Sequence, residues 1–289
     1  MLSTTVFRPL IQHYLVQLWT GASAFFDVKA ILGLRLGGLL VTDIVDNDHW
    51  RELVAQFTGF LPPNGDAFKK NKKSSGVSSS WITERFEYLD PQAEEAQIDR
   101  FARVWLWHFL GAFLFPDASG NTISWIFLDT LRQPWENIAG YSWGNAVLAW
   151  TCRQLCVACR RTSGHVNLGG CSYLLQVWCW ERLSVGRPLN NGLPQWNGHD
   201  TLPTAMYIWT ESQLVRGNMW RKYREYTNGL DVLTRHQVFW CPWDSPELQD
   251  YLSPVTRDES HEYRCDVPLI FFHVVEIHLP IRVCRQLEE

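Results

Sequence analysis

Apolar residues recur at helical spacing along most of this chain, and strand-type alternation is scarce. Leu10, Ile11, Tyr14, Leu15 and Leu18 fall on one face of residues 7–19, with Pro9 suited to a first helical turn. A short helix is predicted over 27–34, stopped by Gly33 and the Gly37, Gly38 pair, and another over 50–57, ended by Gly59. Residues 62–80 (PPNGDAFKKNKKSSGVSSS) are rich in Pro, Gly, Ser and Lys and read as an exposed loop. A long helix follows over 93–115, polar at first and apolar later. Pro116 ends it, and DASGN from Asp117 has turn chemistry.

Helical spacing returns over 142–161, where Trp143, Val147, Trp150 and Gln154 mark one face. Leu148, Cys152, Leu155 and Cys159 mark an adjacent face, so this helix is expected to be covered on more than one side. A shorter buried helix is predicted over 172–182, and Trp143, Trp150, Trp178 and Trp180 read together as a packed structural core. Residues 186–203 form a loop rich in Gly, Pro and Asn, 219–226 are basic and aromatic, and 230–240 fit either helix or strand. Residues 268–277 are apolar and β-branched, and 280–287 suit an amphipathic helix. With no internal repeat, the pattern predicts one mainly α, multi-helix domain over 1–289 with few short strands.

Composition narrows the classes. The 46% hydrophobic and 19% charged content is that of a folded domain. A formal charge of −4 gives no overall positive field, so nucleic-acid binding would need a local patch. The first residues lack a signal-peptide pattern, and the apolar run 104–115 is too short to span a bilayer. Eight cysteines without a secretory leader fit a reducing compartment. A soluble, intracellular protein without a membrane partner is expected.

Several motifs stand in fixed order: WLWHFLGAFLFPDASGN at 105–121, YSWGNAVLAW at 141–150 with RQLC at 153–156, and LLQVWCWERL at 174–183 followed by GRP. LDVLTRHQVFWCPW at 230–243 and VEIHLPIRVCRQ at 275–286 complete the series. The chain thereby resembles the plant mobile domain family, also called aminotransferase-like, over nearly its whole length. That resemblance implies a nuclear protein of transposon-related origin, akin to maintenance-of-meristems proteins that act in meristem maintenance, transposon or gene silencing and genome integrity. It also implies a protein partner, such as a type-7-class plant phosphatase or a related mobile-domain protein, and carries over no catalytic residue. Two departures are expected: a shortened segment near residues 20–26, and a shortened C-terminal end in which Ile281 replaces the family's usual aspartate.

Candidate chemistry is thin. Cys152, Cys156 and Cys159 have the C-x3-C-x2-C spacing of a cluster-binding loop, but they lie at i, i+4, i+7 inside a helix, where small core fillers belong. Cys156, Cys159, His165 and Cys171 make an incomplete zinc set with one CxxC pair. Pyridoxal phosphate needs a Schiff-base lysine in an α/β scaffold, and the six lysines (Lys29, Lys69, Lys70, Lys72, Lys73, Lys222) offer no such context. No cofactor or metal is therefore assigned. The two-metal phosphatase motifs are absent, and Asp117, Asp231 and Glu276 read by default as unrelated acids instead of a transposase triad.

Lys69, Lys70, Lys72 and Lys73 suit either an import signal or a solvated loop, and Arg221, Lys222 and Arg224 in MWRKYREY suit phosphate contact beside stacking aromatics. A surface helix with Trp220 and Tyr223 packed inward explains that segment equally well. Among Glu276, His278, Arg282 and Arg285, Glu276 is expected to pair with an arginine and tie the C-terminal helix to the body. The reading is a non-enzymatic nuclear interaction module. A transposon-derived nucleic-acid-binding domain is the first alternative, and a cryptic transposase-like enzyme the second.

Overall fold

Across residues 24–43, 48–63, 76–160, 167–183, 185–189, 192–194, 204–209, 219–239, 242–253 and 267–278, which the computed structural model describes, the chain is mainly helical, with two small two-stranded antiparallel sheets. Its organising element is α7 (Trp143–Arg160), which packs against α1 (Ala24–Leu32) and beneath a hairpin of β3 (Val267–Phe271) and β4 (Val274–His278). Because elements cover it from more than one side, α7 buries both Val147 and the Leu148, Cys152, Leu155 stripe. Gly144 makes one approach feasible: a Cβ there would lie 2.9 Å from the Arg35 carbonyl, to which the Gly144 N–H donates at 2.8 Å. The helix α8 (Ser172–Leu183) packs on α1 from another direction.

The hairpin closes from Phe271 to Val274, leaving Phe272 and His273 in the turn. Phe272 sits at φ 49°, a left-handed conformation that side chains rarely adopt. It is held there because its N–H donates to the Val41 carbonyl at 2.9 Å and its buried ring packs on Phe127 and Phe271.

On the other side of the core, α2 (Trp50–Thr58) lies against α4 (Glu95–Phe109), which runs into a π-helical turn, Leu110–Leu114. Inside that turn Gly111 lies so near Ile123 that a Cβ would be 2.7 Å from Ile123 Cγ2. The expected single helix over 93–115 is therefore two elements, re-registered where β2 (Thr122–Ser124) presses in. A capping box between Glu94 and Gln97 starts α4, and the short helices α5 (Leu128–Leu131) and α6 (Trp135–Ala139) lead from β2 toward α7.

Other expectations need correction. The loop over 62–80 ends early, because β1 (Gly76–Ser78) pairs with β2 and α3 (Ser79–Thr83) follows at once, N-capped by Ser78. Of the ambiguous stretch 230–240, the described residues 230–239 hold the end of α9 (Met219–Asp231) and a 3-10 turn, Arg235–Gln237. Residues 268–277 form a hairpin. The helices expected over 7–19 and 280–287, and the departures near 20–26 and at the C-terminal end, lie outside the described residues apart from Ala24, Phe25 and Phe26 at the start of α1.

Of the four tryptophans read as structural core, Trp178 is fully buried, while Trp143, Trp150 and Trp180 are half-buried and pack against the core's margin. Their polar edges explain the position: Trp143 Nε1 donates to the Ile138 carbonyl at 2.8 Å and Trp150 Nε1 to that of Pro116 at 3.1 Å. Trp107 and Trp243 share the centre instead.

Candidate functional site

Buried charges with perturbed ionisation are where functional groups concentrate. Asp27 on α1 and Arg182 on α8 are both buried and joined by two hydrogen bonds, Nε to Oδ2 at 3.0 Å and Nη2 to Oδ1 at 2.7 Å. Trp243 Nε1 donates to the same Oδ1 at 2.7 Å, and the Arg182 backbone is tied to Phe239. Lys29 is buried two positions further along α1. Glu181, the neighbour of Arg182, accepts from Trp209 Nε1 at 2.8 Å and faces Arg187 at 3.4 Å. Burial pushes the Glu181 carboxyl above its usual range, against the pull of Arg187 and Trp209. The helical spacing of 172–182 pointed to a buried helix and gave no sign that Glu181 and Arg182 would be buried with it. Only a charged pair at the end of an apolar run (WCWERL) could have signalled it.

Thiols and acids do not assemble a metal centre among the described residues. Cys152 is buried while Cys156 and Cys159 are half-buried, so only the first sits fully in the core. Burial, with the Glu276 charge adding to it, raises the Cys156 thiol, and burial pushes Cys171 up to about 12. At Cys156 and Cys171 burial thus favours the thiol over the thiolate that metal ligation or nucleophilic chemistry uses. His165 lies outside the described residues. Asp117 accepts from the Ser119 and Gly120 N–H groups of its own turn, Asp231 is exposed, and Glu276 pairs with Arg153 of α7 at 2.8 Å. The partner expected for Glu276 is thus an arginine, but it lies on α7; Arg282 and Arg285 are outside the described residues. His278 is buried edge-on against Phe25. Ser79 Oγ and His108 Nε2 meet at 2.7 Å, joining α3 to α4, and burial lowers the His108 pKa.

At the surface, the basic candidates are sparse. Lys69, Lys70, Lys72 and Lys73 lie outside the described residues. On α9, Arg221 and Arg224 are exposed, but Lys222 is half-buried, 3.5 Å from Glu225 and over the Tyr226 ring at 5.9 Å. Tyr226 itself is packed against Gly186, with no room for a Cβ there. The side chains of Trp220 and Tyr223 are outside the described set.

The outer face of α4 is different. Trp105, Phe109 and Phe113 stack in sequence, with ring centroids 5.9 and 4.9 Å apart, and Tyr173 of α8 extends the stack at 4.7 Å. Spacings of i, i+4 and i+8, the last across the π-turn, put these rings in one row. One helical turn before Trp105 stands Phe101, which belongs to a second aromatic group: Phe101, Phe86 and Phe60 are neighbours at 6.1 and 6.0 Å. The belt formed by the two groups opens to water at particular residues: Trp105 is 57% exposed, Tyr173 51% and Phe60 47%, with Ile98 at 48% and Tyr88 at 75% nearby in sequence. Half-buried Phe86, Phe101, Phe109 and Phe113 lie between these exposed side chains, and a patch that sets exposed Trp, Tyr and Phe on a packed aromatic base has the residue types that anchor interfaces. The long-helix pattern over 93–115 implied apolar burial; it gave no sign that one face would stay uncovered.

Comparison with known proteins adds the context. A family model described as plant mobile domain matches residues 22–288. The Arabidopsis thaliana Serine/threonine-protein phosphatase 7 long form homolog is 33% identical over 265 residues, 90% of this chain and 19% of that protein. Protein MAINTENANCE OF MERISTEMS, from the same plant, is 29% identical over 262 residues, 90% of this chain and 50% of its own length. Protein MAIN-LIKE 1 is 25% identical over 261 residues, 48% of its length. The chain thus spans half or less of these curated relatives. No solved structure matches it.

Proposed function

The chain belongs to the plant mobile domain family, related to the maintenance-of-meristems proteins, and on that premise we propose that it is a non-enzymatic, nuclear protein-interaction module that docks partners on the α4 aromatic belt. The belt is the single observation that carries this reading. Its rings gain nothing from exposure to water, and their edges offer the rigid, amphipathic contact area that protein interfaces use. Three of the buried charged groups, by contrast, are engaged within the protein: Asp27 with Arg182 and Trp243, Glu181 with Trp209 and Arg187. Acid–base chemistry needs such groups turned toward a substrate. The biological setting we propose is transposon or gene silencing in meristem maintenance. A type-7-class phosphatase or another mobile-domain protein is the partner we propose to look for.

Affinity capture from plant nuclei, with and without nuclease, tests the module. Wild type is compared with Trp105→Ser/Tyr173→Ser and with Arg221→Gln/Arg224→Gln. The module reading expects a protein partner retained through nuclease treatment, retained by the arginine variant and lost by the belt variant. Capture that disappears with nuclease and with the arginines would replace it by the nucleic-acid-binding reading.

A further inference from the structure

Charge is distributed very unevenly in this molecule. Residues 84–100 hold Glu84, Glu87, Asp90, Glu94, Glu95 and Asp99 against Arg85 and Arg100, a net −4 that equals the formal charge of the entire chain. The segment runs from the end of α3 into the first turns of α4, so it borders the Phe60, Phe86, Phe101 end of the belt, where Tyr88 and Ile98 are also exposed.

Not every member of the segment is available to a partner. Asp99 is taken by Arg103 and Trp135, both at 2.7 Å, and the Arg103 bond holds its carboxyl below the usual range. Asp90 caps the Gln92 N–H and Glu94 belongs to the capping box of α4. Arg85 is folded back, donating to the Trp81 carbonyl and lying over the Trp81 ring at 4.6 Å. Of the exposed acids on this rim, Glu84 (3.6 Å from Arg85), Glu87 and Glu95 have no capping role, and Arg85 and Arg100 are its exposed cations.

We infer that the Phe60 end of the belt is a docking site for an arginine- and lysine-rich peptide segment of a partner protein, one that also carries apolar side chains. This rests on the belt being a protein-docking face, and it fixes the chemistry of what docks. Apolar residues of the segment lie along Phe60, Tyr88 and Ile98, while its cations meet Glu84, Glu87 and Glu95. Guanidinium and ammonium groups are drawn to carboxylates and to ring faces alike, so acid and aromatic side by side select one kind of occupant. The same rim repels phosphate backbones, which sets this surface against nucleic acid.

Fluorescence anisotropy with a short labelled peptide of alternating arginine and leucine tests the inference, with its glutamate counterpart and oligo(dT) as further probes. Binding of the arginine peptide is expected to weaken about tenfold between low and physiological salt. It should weaken about tenfold again in Glu84→Gln/Glu87→Gln/Glu95→Gln, three exposed positions. Ile98→Ser lowers affinity without changing the salt dependence. Unchanged melting temperatures show that the variants fold. Equal binding of the glutamate peptide or of oligo(dT), or an affinity indifferent to the three glutamines, overturns the inference. If the arginine peptide does not bind while Trp105→Ser/Tyr173→Ser still loses its nuclear partner, docking on the belt stands and the basic character of the partner falls.

Discussion

The guanidinium of Arg182 holds the carboxylate of Asp27 through two hydrogen bonds across 155 positions of sequence, and neither group reaches water. The pair joins α1 to α8, and Trp243 adds a third bond from the C-terminal half of the chain. An ion pair of this kind contributes little over an apolar pair of similar size, yet breaking it strands a buried charge.

Asp27→Leu and Arg182→Met should therefore each cost about 3–5 kcal/mol of unfolding free energy. The double variant Asp27→Leu/Arg182→Met should cost well below the sum, retaining mainly the ~1–3 kcal/mol of a Trp243 N–H left without its acceptor. Urea denaturation of the four proteins measures the cycle, and additive losses would show that the pair is not coupled.

At the π-turn, Gly111→Ala places a methyl 2.7 Å from Ile123 Cγ2 and should cost about 1–3 kcal/mol. Combined with Ile123→Ala, which vacates that space, the loss should be smaller than the two single losses added. Equal sums in thermal denaturation would mean that the turn shifts freely and that Gly111 does not set the register of α4 on β2.

Glu181 gives a pH signature. Burial raises its carboxyl above the ordinary 4.5, so the ionised form subtracts stability near neutrality, and this loss is recovered as pH falls through the raised folded value toward 4.5. Glu181→Gln keeps an acceptor for Trp209 and carries no charge. Its stability relative to wild type should be greatest near pH 7 and fade by about pH 4.5. A difference that is flat with pH, or that grows on acidification, contradicts this placement.

Prolonged dialysis against a chelator under reducing conditions should leave the melting temperature unchanged, and Cys156→Ala and Cys159→Ala should shift it by no more than about 4 °C. Stoichiometric zinc or iron in the purified protein, together with a fall on chelation, would restore the metal reading that the C-x3-C-x2-C spacing suggests.

Much of the fold is written in local spacing. The face of α7 marked by Val147, the stripe of Leu148, Cys152 and Leu155, the stop at Gly59 and the turn at Asp117 all follow from side-chain periodicity and backbone preference, which neighbours in sequence determine. The interruption of α4 does not, because its cause is Ile123 pressing on Gly111 from another element. Nor does the partner of Asp27, 155 positions away, since opposite charges far apart carry no mark of proximity. The belt was half legible: WLWHFLGAFLF announces apolar helix, but whether Trp105 is covered or open depends on what packs against it. The open ends at Trp105 and Tyr173 are visible only once α4 and α8 are side by side.

The most direct measurement is photo-crosslinking in plant nuclear extract, with a benzoylphenylalanine placed in turn at position 105 on the belt and at position 224 on α9. Docking on the belt predicts a specific protein adduct from position 105 that survives nuclease and is abolished by Tyr173→Ser, with none from position 224. A nuclease-sensitive adduct from 224 and nothing from 105 would contradict it.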